Sequence, residues 1–442
     1  MRQTALRIIY GPLWRIDMKE KWKAFKETDT FKRIQATIPY RALRKVYRTV
    51  RTVFRKWYKS HNLRKVYPSI YRKYAEKPLK KNKVIFIEVR EAKLTDNFNY
   101  VYKRLKKHGG YTIHVHMLRS GFCKRKAYAR RCRALVADMA DAAYVFINDS
   151  SEVLACLPMR KETVVTQMWH ACGAFKKFGM STAELLFGDD KKTLEKYPYH
   201  GNYTHVTVSS PEIVWAYEEA MSLTDHPGVV KPVGVSRTDW FFDDRALDRA
   251  RKHLLKCCPA AKGKKVILYA PTFRGRVAHA ETPDCLDIAA FGDVFAKEYV
   301  LLFKLHPFVK TRTEIPEGYE HFAFDVTDDM SIEELLTVAD ICISDYSSLV
   351  FEYSVYNRPM IFYAYDLDDY YDWRGFYYDY KDFVPGPIFT DNAPMIDYIR
   401  NIDTRFDAKK VSDFREKFMS ACDGHATDRI MELVFGDAMR ED

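Results

Sequence analysis

The chain has 442 residues, of which 47% are hydrophobic and 15% aromatic, and this composition excludes a disordered or collagen-like protein. The formal net charge of +13 is uneven, because residues 1–83 hold 25 Lys and Arg against five acidic residues and the remaining residues therefore carry −7. The nine cysteines include no C-x-x-C pair, which argues against a zinc site and predicts free thiols in a reducing compartment. No apolar run approaches the ~18 residues of a transmembrane helix, so we expect neither a membrane span nor a signal peptide.

Residues 39–60 show the clearest helical pattern of the basic segment 1–83. Apolar and aromatic side chains recur at helical spacing from Leu43 to Tyr58, and Lys and Arg occupy most of the other positions. Such a helix suits the surface of an anionic bilayer, where each basic residue contributes roughly 1 kcal/mol. Two alternatives are that the apolar stripe packs on the protein's own core, or that the positive stripe binds nucleic acid. We favour the membrane surface and expect no nucleic-acid partner, because the rest of the chain is acidic and lacks a nucleic-acid motif.

From residue 83 onward, short apolar strands alternate with helical segments. The predicted strands are 83–89, 111–118, 142–149, 162–170, 203–210, 264–273, 298–307, 321–326, 339–344 and 358–363. This alternation predicts βαβ units and parallel sheets. A Gly- and Pro-rich connection at 226–241 divides the series, so we expect two Rossmann-like doubly wound domains, 84–235 and 236–442, that face a cleft. Ligands of such sheets bind beyond the carboxyl ends of the strands.

The turn Asp345-Tyr-Ser-Ser348 joins the predicted strand 339–344 to a helix that starts near Ser347. Anions bind at helix N-termini because free backbone N–H groups point outward there, and the hydroxyls of Ser347 and Ser348 add donors. The alternative is that the serines are plain N-caps. Glu352, on the first turns of the same helix, could accept hydrogen bonds from ribose hydroxyls, or could be a surface residue.

Two further strand ends belong to the second predicted domain. Pro271 stops the strand before Thr272 and Arg274, and Arg is the side chain best suited to bidentate phosphate binding. His306 is followed by Pro307, which holds the imidazole in a rigid turn at the end of its strand. A lone His is more often structural, but its counterpart in the first domain favours a role in the cleft.

That counterpart is His170, which ends the predicted strand 162–170 and would face the cleft opposite His306. A neutral His near pH 7 takes a proton from an attacking hydroxyl. Lys176 and Lys177 follow on a short basic segment, and we predict that the remaining histidines are structural.

In the Tyr- and Asp-rich loop 365–380, Arg374 is a candidate phosphate clamp. The D-x-D pattern at 366–368 is common in loops, so we expect no metal there.

Taken together, these segments resemble the CDP-glycerol glycerophosphotransferase family, the enzymes that build teichoic acid chains. The matching segments are Trp169-His170, YAPTFR (269–274), HP (306–307), DYSS (345–348), RP (358–359), RGFYYD (374–379) and PGP (385–387), within residues 84–400. The resemblance implies a two-domain GT-B architecture and peripheral attachment to the cytoplasmic face of a bacterial membrane. The chain departs from the family at 171–176, where Ala-Cys-Gly-Ala-Phe-Lys replaces the commonest form after the His, Gly-Thr-Pro-Leu-Lys.

The resemblance also implies the reaction: transfer of glycerol phosphate, or in some branches ribitol phosphate, from its CDP-activated form to a lipid-linked glycan acceptor, with release of CMP and no cofactor. His170 is then the base, and His306 is its catalytic partner at the pyrophosphate. Donor-side roles are implied for Thr272, Arg274, Asp345, Ser347, Ser348, Glu352 and Arg374, and acceptor-side roles for Lys176 and Lys177. The alternatives are a GT-B nucleotide-sugar glycosyltransferase and a membrane-bound scaffold that has lost activity.

Overall fold

The computed structural model describes residues 38–183, 185, 188, 190–275, 280–283, 285–368, 370 and 375–436. The chain divides into two compact units, 1–66 and 67–442. Arg374 and the first 37 residues of the basic segment lie outside the described residues.

The smaller unit contains the predicted basic helix. Residues Ile38–His61 form one α-helix, which is followed by a π-helical turn at Asn62–Val66. The apolar stripe of this helix is exposed to solvent, and its large exposed side chains are Val46, Tyr47, Val50, Val53, Phe54 and Trp57. In the described part of the chain, no helix is both long enough and apolar enough to span a membrane.

The described part of the larger unit contains twelve strands. They are β1 (Lys80–Glu88), β2 (Thr112–Met117), β3 (Ala142–Ile147), β4 (Val164–Gln167), β5 (His205–Thr207), β6 (Val230–Lys231), β7 (Lys265–Tyr269), β8 (Tyr299–Phe303), β9 (Ala323–Asp325), β10 (Ile341–Ser344), β11 (Met360–Tyr363) and β12 (Ile388–Phe389). They form two six-stranded sheets, in the orders β2-β1-β3-β4-β5-β6 and β12-β11-β10-β7-β8-β9. Every pairing between these strands is parallel, which confirms the predicted α/β fold with parallel sheets; the isolated bridges Lys176–Phe376 and Arg274–Glu281 are antiparallel.

Helices connect the strands and cover the sheets. Among the described residues of this unit, the α-helices are Tyr67–Ala75, Asp96–His108, Arg125–Met139, Glu152–Ala155, Lys191–Lys196, Val214–Ala220, Asp244–Cys257, Ile288–Phe295, Ile332–Val338, Leu349–Tyr353, Tyr380–Phe383, Asn392–Arg400, Ile402–Arg405, Ala408–Met419 and Ala426–Phe435. The central strands read as continuous apolar runs because helices bury both of their faces. All five residues of β8, for example, are buried.

The last described helix departs from the predicted domain boundary. Residues 236–442 were all expected in the second domain, but helix Ala426–Phe435 packs on the first sheet. Its residues Ile430, Met431 and Val434 are buried in one cluster with Val84 and Phe86 of β1. Their spacing of one and three residues puts them on one helical face, and that face buries its apolar surface in the first domain. In the following, the first domain means the sheet β1–β6 with this helix, and the second domain means the sheet β7–β12.

Candidate active site

A cavity of about 1160 Å³ lies where the carboxyl ends of the two sheets meet. Its lining follows β1, β3 and β4 in the first domain and β7, β8 and β10 in the second, as expected for open α/β sheets. Ligand cavities are commonly about 300–1,000 Å³, so this one is slightly above that range and has room for a large ligand or for two smaller ones. Six of the predicted residues line it: His170, Lys176, Thr272, His306, Ser347 and Ser348.

The loop after β4 fixes the orientation of His170. The preceding residue, Trp169, has a positive φ of 54°, which is uncommon for a non-glycine residue. The side chain of Gln167 supports this turn, because its Oε1 accepts a 2.9 Å hydrogen bond from the Trp169 N–H. Backbone strain of this kind persists only where the surrounding structure holds it, and it concentrates at functional sites.

The hydrogen bond of His170 assigns its tautomer. Its Nδ1 lies 3.0 Å from the carbonyl oxygen of Asn148, and a carbonyl only accepts, so Nδ1 carries the proton. The Nε2 of a neutral ring then has a lone pair. The His170 side chain is accessible from the cleft, and desolvation by the protein groups around it lowers the pKa of its ring; Asp149 opposes that shift, while the nearby Arg237 and Arg90 add to it. The ring is therefore neutral at pH 7 and suited to accept a proton.

Contacts from three elements hold the His170 loop in place. The hydroxyl of Tyr217 donates to the carbonyls of Ala171 (3.3 Å) and Gly173 (3.1 Å), and the Gly173 N–H donates to Ser209 Oγ (3.0 Å). Gly173 has a φ of +63°, and a Cβ at this position would lie 2.2 Å from the ring of Phe351 in the second domain. Only glycine allows this close approach of the two domains.

His306 has the opposite tautomer. The backbone N–H of Phe308 donates to His306 Nδ1 at 3.2 Å, so Nδ1 is unprotonated and Nε2 carries the proton. Pro307 makes this tight turn, and the ring packs against Phe273 and Phe308 with centroids 4.7 Å away in each case. The proton of this ring is therefore on Nε2, whereas the proton of the His170 ring is on Nδ1.

Asp345 organises the second-domain wall from behind. Its carboxylate accepts from the Thr272 N–H (2.8 Å), the Thr272 hydroxyl (2.9 Å) and Arg274 Nη1 (2.8 Å). The other guanidinium donors of Arg274 bind Asp366 at 2.5 and 2.9 Å. Two carboxylates thus occupy Arg274, which does not line the cavity in this structure. Arg274 and Asp345, which the sequence assigns to donor binding, hold Thr272 in this structure: Asp345 accepts from Thr272, and Arg274 pairs with Asp345.

The two serines of the DYSS turn face the cavity and are not strong helix caps. Ser348 is the residue before helix Leu349–Tyr353, yet its side chain makes no capping hydrogen bond. Ser347 Oγ is 3.5 Å from the Leu349 N–H, at the limit of a hydrogen bond. Both side chains are half-buried and line the cavity, so their hydroxyls are available to a ligand.

Glu352 lies behind the cavity and not in it. It is buried, its carboxylate pairs with Arg237, and its Oε1 is 3.7 Å from Cys172 Sγ. Burial raises the pKa of Glu352, while Arg237 opposes that shift. Arg237 also lies 4.0 Å from Glu333. This ion pair joins the interdomain connection to a helix of the second domain, so its position does not support the predicted contact with ribose.

Lys176 and Lys177 connect the first-domain loop to the second domain. Lys176 Nζ donates to the hydroxyl of Tyr370 at 3.2 Å and lines the cavity. The Lys177 N–H donates to the Gly375 carbonyl at 3.1 Å, and the Tyr377 N–H donates to the Phe175 carbonyl at 3.1 Å. Lys177 itself does not line the cavity.

Among the residues that the structure describes, no group of three or more His, Cys, Asp or Glu could hold a metal ion.

The comparison with known protein families is consistent with the polar residues found at these strand ends. The sequence model of the family described as CDP-Glycerol:Poly(glycerophosphate) glycerophosphotransferase matches residues 69–436. The chain belongs to this family. It is therefore an enzyme of the CDP-polyol phosphotransferase type, as the sequence predicted.

Individual relatives agree with this assignment. The transferase is 35% identical to the teichoic acid ribitol-phosphate primase of Bacillus spizizenii, over 81% of this chain and 92% of that protein. It is 30% identical to the teichoic acid glycerol-phosphate primase of Bacillus subtilis, over 66% of this chain and 73% of that protein. The solved structure of the wall teichoic acid polymerase TagF has a TM-score of 0.68 at 21% identity, covering 90% of this chain and 97% of that one. That likeness confirms the GT-B-like fold.

The sequence analysis missed the polar ends of β1 and β3 in this transferase. Glu88 and Asn148 line the cavity, and Glu88 accepts from the Asn148 side-chain amide at 2.9 Å. Asp149 is paired with Arg90, whose Nε lies 2.5 Å from its carboxylate. The signal was present, because the predicted strand 142–149 ends in Asn-Asp. The carboxyl ends of neighbouring parallel strands share one edge of the sheet, so this end belongs beside His170.

Proposed function

We propose that this transferase moves a polyol phosphate from a CDP-activated polyol to a hydroxyl of a lipid-linked acceptor and releases CMP. The observation that carries the proposal is the pair of opposite imidazole tautomers on one cavity. A hydroxyl nucleophile needs an acceptor for its proton, and the phosphoryl group needs donors for its oxygens. His170 and His306 offer one of each.

In the proposed reaction, the acceptor hydroxyl gives its proton to His170 Nε2 while its oxygen attacks the phosphorus atom that carries the polyol. The bond from that phosphorus to the bridging oxygen breaks, and the electron pair leaves with CMP. His306 Nε2–H and the hydroxyls of Ser347 and Ser348 donate to phosphate oxygens as negative charge develops on them. Asp345 and Arg274 hold Thr272 in position on the same wall, and Lys176 adds positive charge at the edge of the site.

The donor polyol is glycerol or ribitol. The sequence analysis favoured glycerol phosphate, in keeping with the family description. Relatives named for ribitol phosphate and for glycerol phosphate both match this chain, at 35% and 30% identity. Both donors therefore enter the proposal.

The test is CMP release by the purified protein. CDP-glycerol and CDP-ribitol are supplied separately, each with and without a lipid-linked teichoic acid primer. We expect CMP release that depends on the primer with at least one donor. No CMP release with either donor, together with turnover of a nucleotide sugar, would contradict the proposal and favour a glycosyltransferase.

We further propose that helix Ile38–His61 attaches the protein to an anionic membrane surface. The support is its exposed apolar stripe, which includes Trp57 and Phe54, beside a basic face. Replacing Arg48, Arg51 and Arg55 by Gln removes about 3 kcal/mol of attraction, or about a hundredfold in binding to vesicles that contain anionic lipid. The matched control neutralises Lys103, Lys106 and Lys107 on helix Asp96–His108. Equal loss in both triple variants would contradict a specific role of the N-terminal helix.

A further inference from the structure

His200 is a buried histidine on the first-domain wall of the cavity. It is 8% exposed and lines the cavity, although nothing in its sequence context distinguishes it from a structural histidine. Its ring centroid is 5.5 Å from that of Trp169 and 6.4 Å from that of Phe178. His170 is near His200, because the centroid of the His170 ring lies 4.4 Å from that of the same Trp169 ring. Both imidazoles thus contact one indole.

A chain of hydrogen bonds fixes which nitrogen of His200 carries the proton. Gln167 Oε1 accepts from the Trp169 N–H, so its Nε2 is turned the other way and donates to the Asp149 carbonyl and to the Tyr203 hydroxyl, at 3.1 Å each. The Tyr203 oxygen accepts that bond, and its own proton points to His200 Nδ1 at 3.1 Å. The proton of a neutral His200 is therefore on Nε2.

The Nε2–H group of His200 is a donor that a ligand in the cavity could use. Within the described part of the chain, His200 has its one hydrogen bond through Nδ1 and none through Nε2. His200 lines the cavity and its Nε2 is not among the fully enclosed polar atoms that lack a partner, so this N–H is accessible from the cavity, where a ligand acceptor can take the place of water. Burial lowers the pKa of His200 to about 4, so the ring is neutral at pH 7 and offers an uncharged donor between aromatic rings.

We propose that His200 binds the acceptor: its Nε2–H donates to a hydroxyl oxygen of the acceptor's terminal unit, beside the hydroxyl that gives its proton to His170. This inference rests on the proposed function and adds a binding residue to the acceptor side. The acceptor is favoured over the donor because His200 shares the Trp169 ring with His170, whereas the candidate phosphate ligands lie on the other wall. An uncharged donor among aromatic rings suits a hydroxylated polyol or sugar unit, whose hydroxyl oxygens accept hydrogen bonds without bringing a charge into that part of the wall.

The test separates the Michaelis constants of the two substrates. In His200→Phe, the KM for the lipid-linked acceptor should rise about tenfold, which corresponds to one lost hydrogen bond, while the KM for the CDP-polyol stays within about twofold. His200→Gln should recover part of the loss because its amide N–H also donates. The control is His205→Gln, in a half-buried histidine of β5 that does not line the cavity. A rise in the donor KM alone, or wild-type constants in both His200 variants, would overturn the proposal.

A binding measurement keeps the test independent of turnover. The probe is the acceptor headgroup without its lipid, titrated by calorimetry into wild type, His200→Phe and Tyr203→Phe. We expect the weakest binding in His200→Phe and an intermediate value in Tyr203→Phe, which keeps the imidazole but loses the hydroxyl that orients it. Equal affinity in all three proteins would contradict the role of His200. Absence of CMP release by the wild type would contradict the proposed function separately.

Discussion

The two walls of the cleft offer a ligand opposite kinds of nitrogen. On the first-domain wall, His170 Nδ1 donates to the Asn148 carbonyl and leaves a lone pair on Nε2. On the second-domain wall, His306 Nδ1 accepts from the Phe308 N–H, which leaves a proton on Nε2. In each case a backbone group beside the end of a strand selects the tautomer. The scaffold thus gives two identical side chains different chemistry, one suited to a nucleophile and the other to a phosphoryl group.

The largest expected effect comes from removing the lone pair on the first-domain wall. Changing His170 to Ala should lower kcat by about 10²–10⁴, because the substitution removes the lone pair proposed to take the proton of the acceptor hydroxyl. His170→Gln should not recover activity, since a Gln amide is too weak a base. Thermal unfolding of both variants checks that the fold is kept. Full activity in either one would show that the His170 lone pair is not the base.

The second-domain wall should respond differently to the same pair of substitutions. His306→Ala should lower kcat by about 10²–10³, the usual cost of losing a hydrogen-bond donor to a developing negative charge. His306→Gln should retain part of the rate, because its amide N–H still donates. Measuring kcat for the four variants side by side tests the comparison. Rescue by Gln at 170 and not at 306 would reverse the assignment of the two walls.

The serines of the second-domain wall should have smaller effects that appear in donor binding. Ser347→Ala and Ser348→Ala should each raise the KM for the CDP-polyol by up to about tenfold, the value of one hydrogen bond. The control is Ser331→Ala, which removes a helix capping box in the same domain. That control should lower the free energy of unfolding by about 0.5–2 kcal/mol and leave donor binding unchanged. Equal KM values in all three variants would show that the DYSS hydroxyls do not contact the donor.

The smallest expected effect is a displacement of the pH profile. The active form of His170 is neutral, and its pKa is lowered from 6.5, so kcat/KM should be level at pH 7 and fall as pH decreases through a value below 6.5. The negative charge of Asp149 raises the pKa of His170, so Asp149→Asn should move the acid limb to still lower pH. His306→Gln should leave the limb in place. A limb above pH 6.5, or one that follows His306, would contradict this assignment.

The sequence predicted the fold and the strand ends well, because both depend on local patterns. Apolar runs followed by Thr272, His306 and Ser347 place those side chains at one edge of a parallel sheet. The partners of charged side chains depend on contacts that no local pattern reveals. The sequence predicts Arg274 as a phosphate ligand, and its ion pairs with Asp345 and Asp366 are visible only in the structure. Glu352 likewise gains its buried partner, Arg237, from 115 residues away.

Two other features required the tertiary structure for a related reason. Helix Ala426–Phe435 has an ordinary amphipathic pattern, and nothing in that pattern says which domain it covers. His200 gains its meaning from Gln167 and Tyr203, which only the fold arranges into one chain of hydrogen bonds. Sequence analysis therefore finds the groups that line the cleft, and the structure assigns their protons.

The most direct test of the account is the tautomeric state of the two imidazoles. Nitrogen NMR of protein labelled at its histidines, at pH 7, reports which ring nitrogen carries the proton, and spectra of the His170→Gln and His306→Gln variants assign the two signals. We predict that His170 is protonated at Nδ1 and His306 at Nε2. The same tautomer at both positions, or the reverse pair, would contradict the division of the cleft into a proton-accepting wall and a phosphate-binding wall.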